Sequence, residues 1–109
     1  VVDATDEEFH TVADESTIPV LVDVWAPWCG PCRMVSPALE RLAGELAGEL
    51  KVVKVNADEN PGVSRRFEIQ SIPTLLLLHH GEIVDKQIGA VPEPQLRSWL
   101  RSSLPKSSG

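Results

Sequence analysis

Two hydrophobic rhythms alternate along this chain, and together they predict nine elements. Residues 20–26, Val-Leu-Val-Asp-Val-Trp-Ala, are apolar on both pleat faces except at Asp23, the pattern of a central strand covered on both sides. A helical stripe follows, in which Val35, Leu39, Leu42 and Leu46 recur on one face with Glu40, Arg41 and Glu45 outside it. Residues 51–57 form a valine-rich strand, and Asn60-Pro61 opens a short helix running to Phe67, with Asn60 as N-cap and Pro61 at the first helical position. Residues 74–79 and the partly alternating 83–88 form two strands joined at His80-Gly81, and Gly89 ends the second. A last helix opens at Pro94, with Leu96, Trp99 and Leu100 inward and Arg97 and Arg101 outward.

The chain before residue 20 supplies the remaining two. Val1-Val2 reads as the stub of a first strand. Thr5 and Glu8 match a capping box, and Asp6-Glu7-Glu8 set negative charge at the positive end of a helix whose apolar face is Phe9, Val12 and Ala13. Pro37, inside the second helical stripe, is assigned a structural role and is expected to kink the helix by removing a hydrogen bond. The predicted order is β α β α β α β β α: a three-layer α/β/α fold with a central mixed sheet of four to five strands and about four helices.

Composition narrows the function classes. A chain of 109 residues is long enough to bury roughly 65% of its unfolded surface as one domain, expected over residues 1–104. The Pro-Lys-Ser-Ser-Gly stretch at 105–109 is expected to be a disordered tail. A net charge of −6, scattered along the chain, argues against nucleic acid and anionic membranes as partners. The longest apolar runs are far short of the ~20 residues that span a bilayer. The opening Val-Val-Asp-Ala-Thr-Asp-Glu-Glu does not read as a secretory signal, and two close cysteines are no secreted disulfide framework, so the expected location is cytoplasmic.

Both cysteines fall where the central strand gives way to the long helix, as Trp28-Cys29-Gly30-Pro31-Cys32. A Cys-x-x-Cys that follows a strand and opens a helix is a redox signal, because the attacking species in disulfide exchange is a thiolate and a helix N-terminus favours negative charge. Cys29, ahead of Gly30-Pro31, is expected to be the exposed member. Cys32 lies one turn on, ~5–6 Å away in helical geometry, within the separation a disulfide tolerates. The bland alternatives are a static disulfide and a zinc half-site, the latter lacking further cysteines and offered only His10, His79 and His80 in surface-like segments. Asp23 is the odd polar residue in its strand, and burial there disfavours its charged form.

On that element order, Trp-Cys-Gly-Pro-Cys (28–32), Val-Asp-Val-Trp-Ala (22–26), Ile-Pro-Thr (72–74), and Gly81 and Gly89 around the last strand resemble the thioredoxin family over almost the whole chain. Val24 stands where many members carry Phe, and Arg33 where many have Lys. The resemblance implies the thioredoxin fold and a general protein-disulfide reductase working through a Cys29–Cys32 dithiol/disulfide. It implies that Asp23, through a water, accepts the Cys32 proton, with Lys54 near that acid. It implies a cis bond before Pro73 and a substrate-receiving patch of Trp28, Gly30, Pro31, Ile72, Pro73, Ile88, Gly89 and Ala90, while Trp25 packs structurally beneath. No cofactor is expected on the chain, which has no Gly-rich phosphate loop. Reducing equivalents are expected from NADPH through a flavin-dependent thioredoxin reductase, the partners being that reductase and disulfide-containing proteins, and the protein a monomer.

The Gly-Pro between the cysteines favours a reductant, since oxidising or isomerising relatives typically carry His there. A different class also fits the sequence: a binding module whose redox state gates a partner. A variant with both cysteines changed to Ser separates the two, because a scaffold role survives it.

Overall fold

The computed structural model describes residues 1–104, and the expected tail at 105–109 lies outside them. Five strands and four helices follow in the predicted order: β1 (Val2–Asp3), α1 (Asp6–Phe9), β2 (Val20–Trp25), α2 (Gly30–Glu45), β3 (Lys51–Asn56), α3 (Pro61–Arg66), β4 (Thr74–His79), β5 (Glu82–Ile88) and α4 (Glu93–Ser103). The strands form one mixed sheet in the order β1-β3-β2-β4-β5, with β1, β3 and β2 parallel and β4 and β5 antiparallel to their neighbours.

Strand alternation sorts the core into two layers. Val20, Val22, Val24, Val53, Val55, Leu76 and Leu78 face Phe9, Ala13, Val63 and Phe67 on the α1/α3 side. Leu21, Val52, Leu75 and Leu77 face Val35, Leu39, Leu42, Leu96 and Leu100 on the α2/α4 side. β2 is therefore the central strand its two-sided apolar pattern predicts, with Val20 to Val24 wholly buried. Asp23 has the parity of Leu21, which sets it on the face that α2 covers.

α2 runs from Gly30 to Glu45 with Pro37 exposed within it. Two local features depart from expectation. α1 continues through a π-type turn, His10–Asp14, before the chain reaches β2. Asn60 stands at the N-cap of α3 but makes no side-chain cap bond. The Asp6 carboxylate, from α1, instead accepts the Gly62 and Val63 N–H groups at 2.8 Å each, and Asn60 Oδ1 accepts the Asp6 N–H at 2.8 Å. A Cβ on Gly62 would stand 2.9 Å from that carboxylate, so glycine there makes room for the tie. The turn between β4 and β5 puts both His80 and Gly81 at positive φ, 55° and 80°, as a two-residue hairpin of right-handed twist requires.

Candidate active site

Parallel β2 and β3 end side by side, Trp25 paired with Asn56, and the loops that leave them meet at one end of the sheet. There Cys29 occupies the N-cap of α2, with extended backbone (φ −86°, ψ 106°), and its Sγ accepts the Cys32 N–H at 3.2 Å. Cys29 and Cys32 are joined as a disulfide with their Cα atoms 5.3 Å apart, the spacing that one helical turn imposes. The two sulfurs pack with Ala26 against Trp25 and Ile72.

The expected contrast in exposure is absent. Cys29 is 4% exposed and Cys32 2%. Ile72 and Trp25 pack over the disulfide, which leaves both sulfurs buried. Gly30 and Pro31 above it are exposed. A Cβ added to Gly30 would meet nothing within 4 Å, so the surface beside Cys29 is open at that position.

Trp28 is 69% exposed, and its indole N–H donates to Asp58 Oδ2 at 2.9 Å. Arg33 reaches back to donate to the Pro27 carbonyl, clasping the loop from its far side. Across the disulfide, Ile72 is half-buried and Pro73 buried, joined by a cis peptide bond. The Pro73 carbonyl accepts the Gly89 N–H at 2.8 Å, which holds the end of β5 beside this loop. Gly89 adopts φ +95°, and Ile88 (62% exposed) and the exposed Ala90 flank it. Of the residues expected at the site, Trp28, Gly30, Pro31, Ile72, Pro73, Ile88, Gly89 and Ala90 thus lie on the loops, the first turn of α2 and the end of β5 around the disulfide.

Asp23 is buried, and neither carboxylate oxygen has a hydrogen-bond partner among the described residues. Burial pushes its pKa up from 3.8 to about 6, and the Lys54 charge opposes the rise. Lys54 pairs with Asp23 in the β2–β3 register, half-buried, its ammonium 4.4 Å from the Trp25 ring centroid. Trp25 is half-buried and packs against Ala26 and the disulfide, and Pro37 lies within α2, beyond its first turn.

Three residues at this end of the sheet escape the sequence reading. Asp58 is one of two adjacent acidic residues, Asp58-Glu59, and only the adjacency of the β2 and β3 ends marks it. The Arg33 clasp depends on side-chain reach rather than charge. Met34, 76% exposed, carries no motif signal. Among the described residues no group of three or more His, Cys, Asp or Glu side chains is placed to hold a metal ion, and no helix is long and apolar enough to cross a membrane.

Comparison with known proteins agrees with this geometry. The family model described as Thioredoxin matches residues 1–102. The chain is 45% identical over 104 residues to a thioredoxin of Haemophilus influenzae, covering 95% of this chain and 97% of that one. It is 51% identical over 100 residues to thioredoxin 1 of Synechococcus elongatus, covering 92% and 94%, and 50% identical over 100 residues to a thioredoxin of Pyropia yezoensis with the same coverage.

Proposed function

Since the chain belongs to the thioredoxin family and is with it a thiol–disulfide exchange reductase, we propose that Cys29 is the attacking nucleophile and Cys32 the resolving one. The observation that carries this assignment is the N-cap position of Cys29. Its sulfur accepts a backbone N–H at 3.2 Å at the positive end of a 16-residue helix, both of which stabilise a thiolate. In the reduced protein this thiolate attacks one sulfur of a substrate disulfide. The substrate S–S bond breaks, the departing sulfur takes up a proton, and Cys29 is left in a mixed disulfide.

Cys32 then gives its proton, through a water, to the Asp23 carboxylate and attacks the Cys29 sulfur. The mixed disulfide breaks, the Cys29–Cys32 bond forms, and the second substrate sulfur leaves as a thiolate that takes up a proton from solvent, Asp23 releasing its own in turn. Two electrons and two protons pass from the dithiol to the substrate. Asp23 suits the acceptor role because a pKa of about 6 leaves it ionised at neutral pH yet more basic than an ordinary carboxylate. Lys54, opposite it in the register, holds that value from climbing further.

The substrate docks over the open approach at Gly30, against Trp28, Pro31, Ile72, Pro73, Ile88, Gly89 and Ala90. Exposed apolar surface at Trp28 and Ile88 supports this reading, since large apolar side chains left in water around a reactive group mark a contact face. The oxidised protein is recharged by a flavin-dependent, NADPH-consuming thioredoxin reductase, and it works as a cytoplasmic monomer of one domain over residues 1–104.

Cys29→Ser and Cys32→Ser variants test the roles in dithiothreitol-driven reduction of insulin. Both should lose turnover, and Cys32→Ser alone should accumulate a mixed disulfide with its substrate. Accumulation in Cys29→Ser instead would reverse the assignment.

A further inference from the structure

Of the large apolar side chains exposed among the described residues, three stand above the rest: Met34 at 76%, Trp28 at 69% and Ile88 at 62%, the others lying at 43–47%. Trp28 and Ile88 belong to the docking face proposed above. Met34, the only methionine of the chain, does not. Pro31, Met34, Ala38 and Arg41 succeed one another at spacings of three and four residues along α2, so they form one helical stripe leading away from the disulfide. Between this stripe and the β5–α4 connection lies a groove of about 190 Å³, walled by Met34 and Ala38 on one side and by Ala90, Val91 and Pro92 on the other. Arg41, ion-paired with Glu93, closes its far end.

We propose that this groove receives one apolar side chain of the substrate polypeptide, from the segment flanking the attacked cysteine, with Met34 as its adaptable wall. The groove is continuous with the docking face at both margins, through Pro31 on α2 and Ala90 after β5. It is smaller than an ordinary small-molecule site and matches a single aliphatic or aromatic side chain. An unbranched, polarisable thioether with three rotatable bonds can repack around different occupants, which a reductase of many proteins needs. The rim contributes no charge preference, because the Arg41 guanidinium is already neutralised by Glu93.

This inference rests on the reductase reading and adds a determinant for polypeptide substrates alone. Its test compares wild type, Met34→Gln and Met34→Leu on insulin and on dithiobis(nitrobenzoate), a small disulfide that covers the sulfurs and not the groove. Because Met34 is exposed on a helix, both variants fold. Met34→Gln should raise KM for insulin about fivefold, with kcat and the rate on the small disulfide unchanged. Met34→Leu should stay within about twofold of wild type. An unchanged KM in Met34→Gln, or a parallel loss on both substrates, overturns the groove. Failure of the wild type on both substrates overturns the reductase reading, and the groove with it.

Discussion

Asp23 and Lys54 lie opposite one another in the parallel β2–β3 pair, the acid wholly buried and the ammonium resting over the Trp25 ring. Burial outweighs the nearby cation, and the carboxyl is pushed up to about 6 rather than down. A carboxyl whose folded value is raised contributes stability that is complete below its unfolded value and is lost as pH rises through its folded value. The folded protein should therefore lose about 3 kcal/mol between roughly pH 4 and pH 6 through this one group. Asp23→Asn should abolish that loss, making the oxidised variant more stable than wild type at pH 7 by about the same amount and equal to it near pH 3. Urea unfolding at a series of pH values checks it; identical pH dependence of wild type and variant contradicts it.

The same carboxylate, as proton acceptor for Cys32, gives the reaction a pH profile. The rate of resolution should rise with pH through about 6 in wild type and lose that inflection in Asp23→Asn. Lys54→Met removes the charge that opposes the rise of the Asp23 value, so the inflection should move to higher pH. Single-turnover reduction of a disulfide peptide across pH 5–8 reads both shifts. An unmoved inflection in Lys54→Met detaches the lysine from the site.

Asp6 ties α1 to α3 by capping a helix more than fifty residues away, with two N–H groups bonded to one carboxylate. Asp6→Ala should lower stability by about 1–2 kcal/mol, which for a domain of this size is a fall of about 4–8 °C in Tm per kcal/mol. Asp6→Asn should retain part of it. Thermal unfolding followed by circular dichroism measures the loss, and an Asp6→Ala Tm equal to wild type contradicts the cap.

Trp28 is anchored at one edge by Asp58 while its ring faces solvent. Asp58→Ala frees the indole without touching the sulfurs. The expected result is a fall of about threefold in kcat/KM for insulin, the value of one modest hydrogen bond. A parallel decrease in tryptophan fluorescence anisotropy reports the release of the ring.

Much of this arrangement is legible in the amino-acid order because the signals are local. The two-sided apolar pattern of residues 20–26 places a central strand, and Asp23 stands out against it. Cys-Gly-Pro-Cys at a strand–helix junction places the sulfurs at a helix N-terminus. What escapes local reading depends on groups brought together from afar. Asn60-Pro61 has every mark of a self-capped helix start, yet a better acceptor, the Asp6 carboxylate, reaches α3 across the fold. Cys29 reads as exposed from its position before Gly30-Pro31, but Ile72, more than forty residues on, covers it. The strand at residues 83–88 is marked by its partial alternation, but that β5 stands at the sheet edge with most of its residues exposed follows only from the strand order. Asp58 and Met34 acquire meaning only from their neighbours across a loop and a groove.

Cys29 and Cys32 should form a reversible, strongly reducing couple. Titration of the pair in graded dithiol/disulfide buffers, read by tryptophan fluorescence, tests it most directly, since Trp28 adjoins Cys29 in sequence and Trp25 packs against the disulfide. The expected result is one reversible two-electron transition, more reducing than the glutathione couple and absent in Cys29→Ser. A transition more oxidising than glutathione, or none at all, would contradict it.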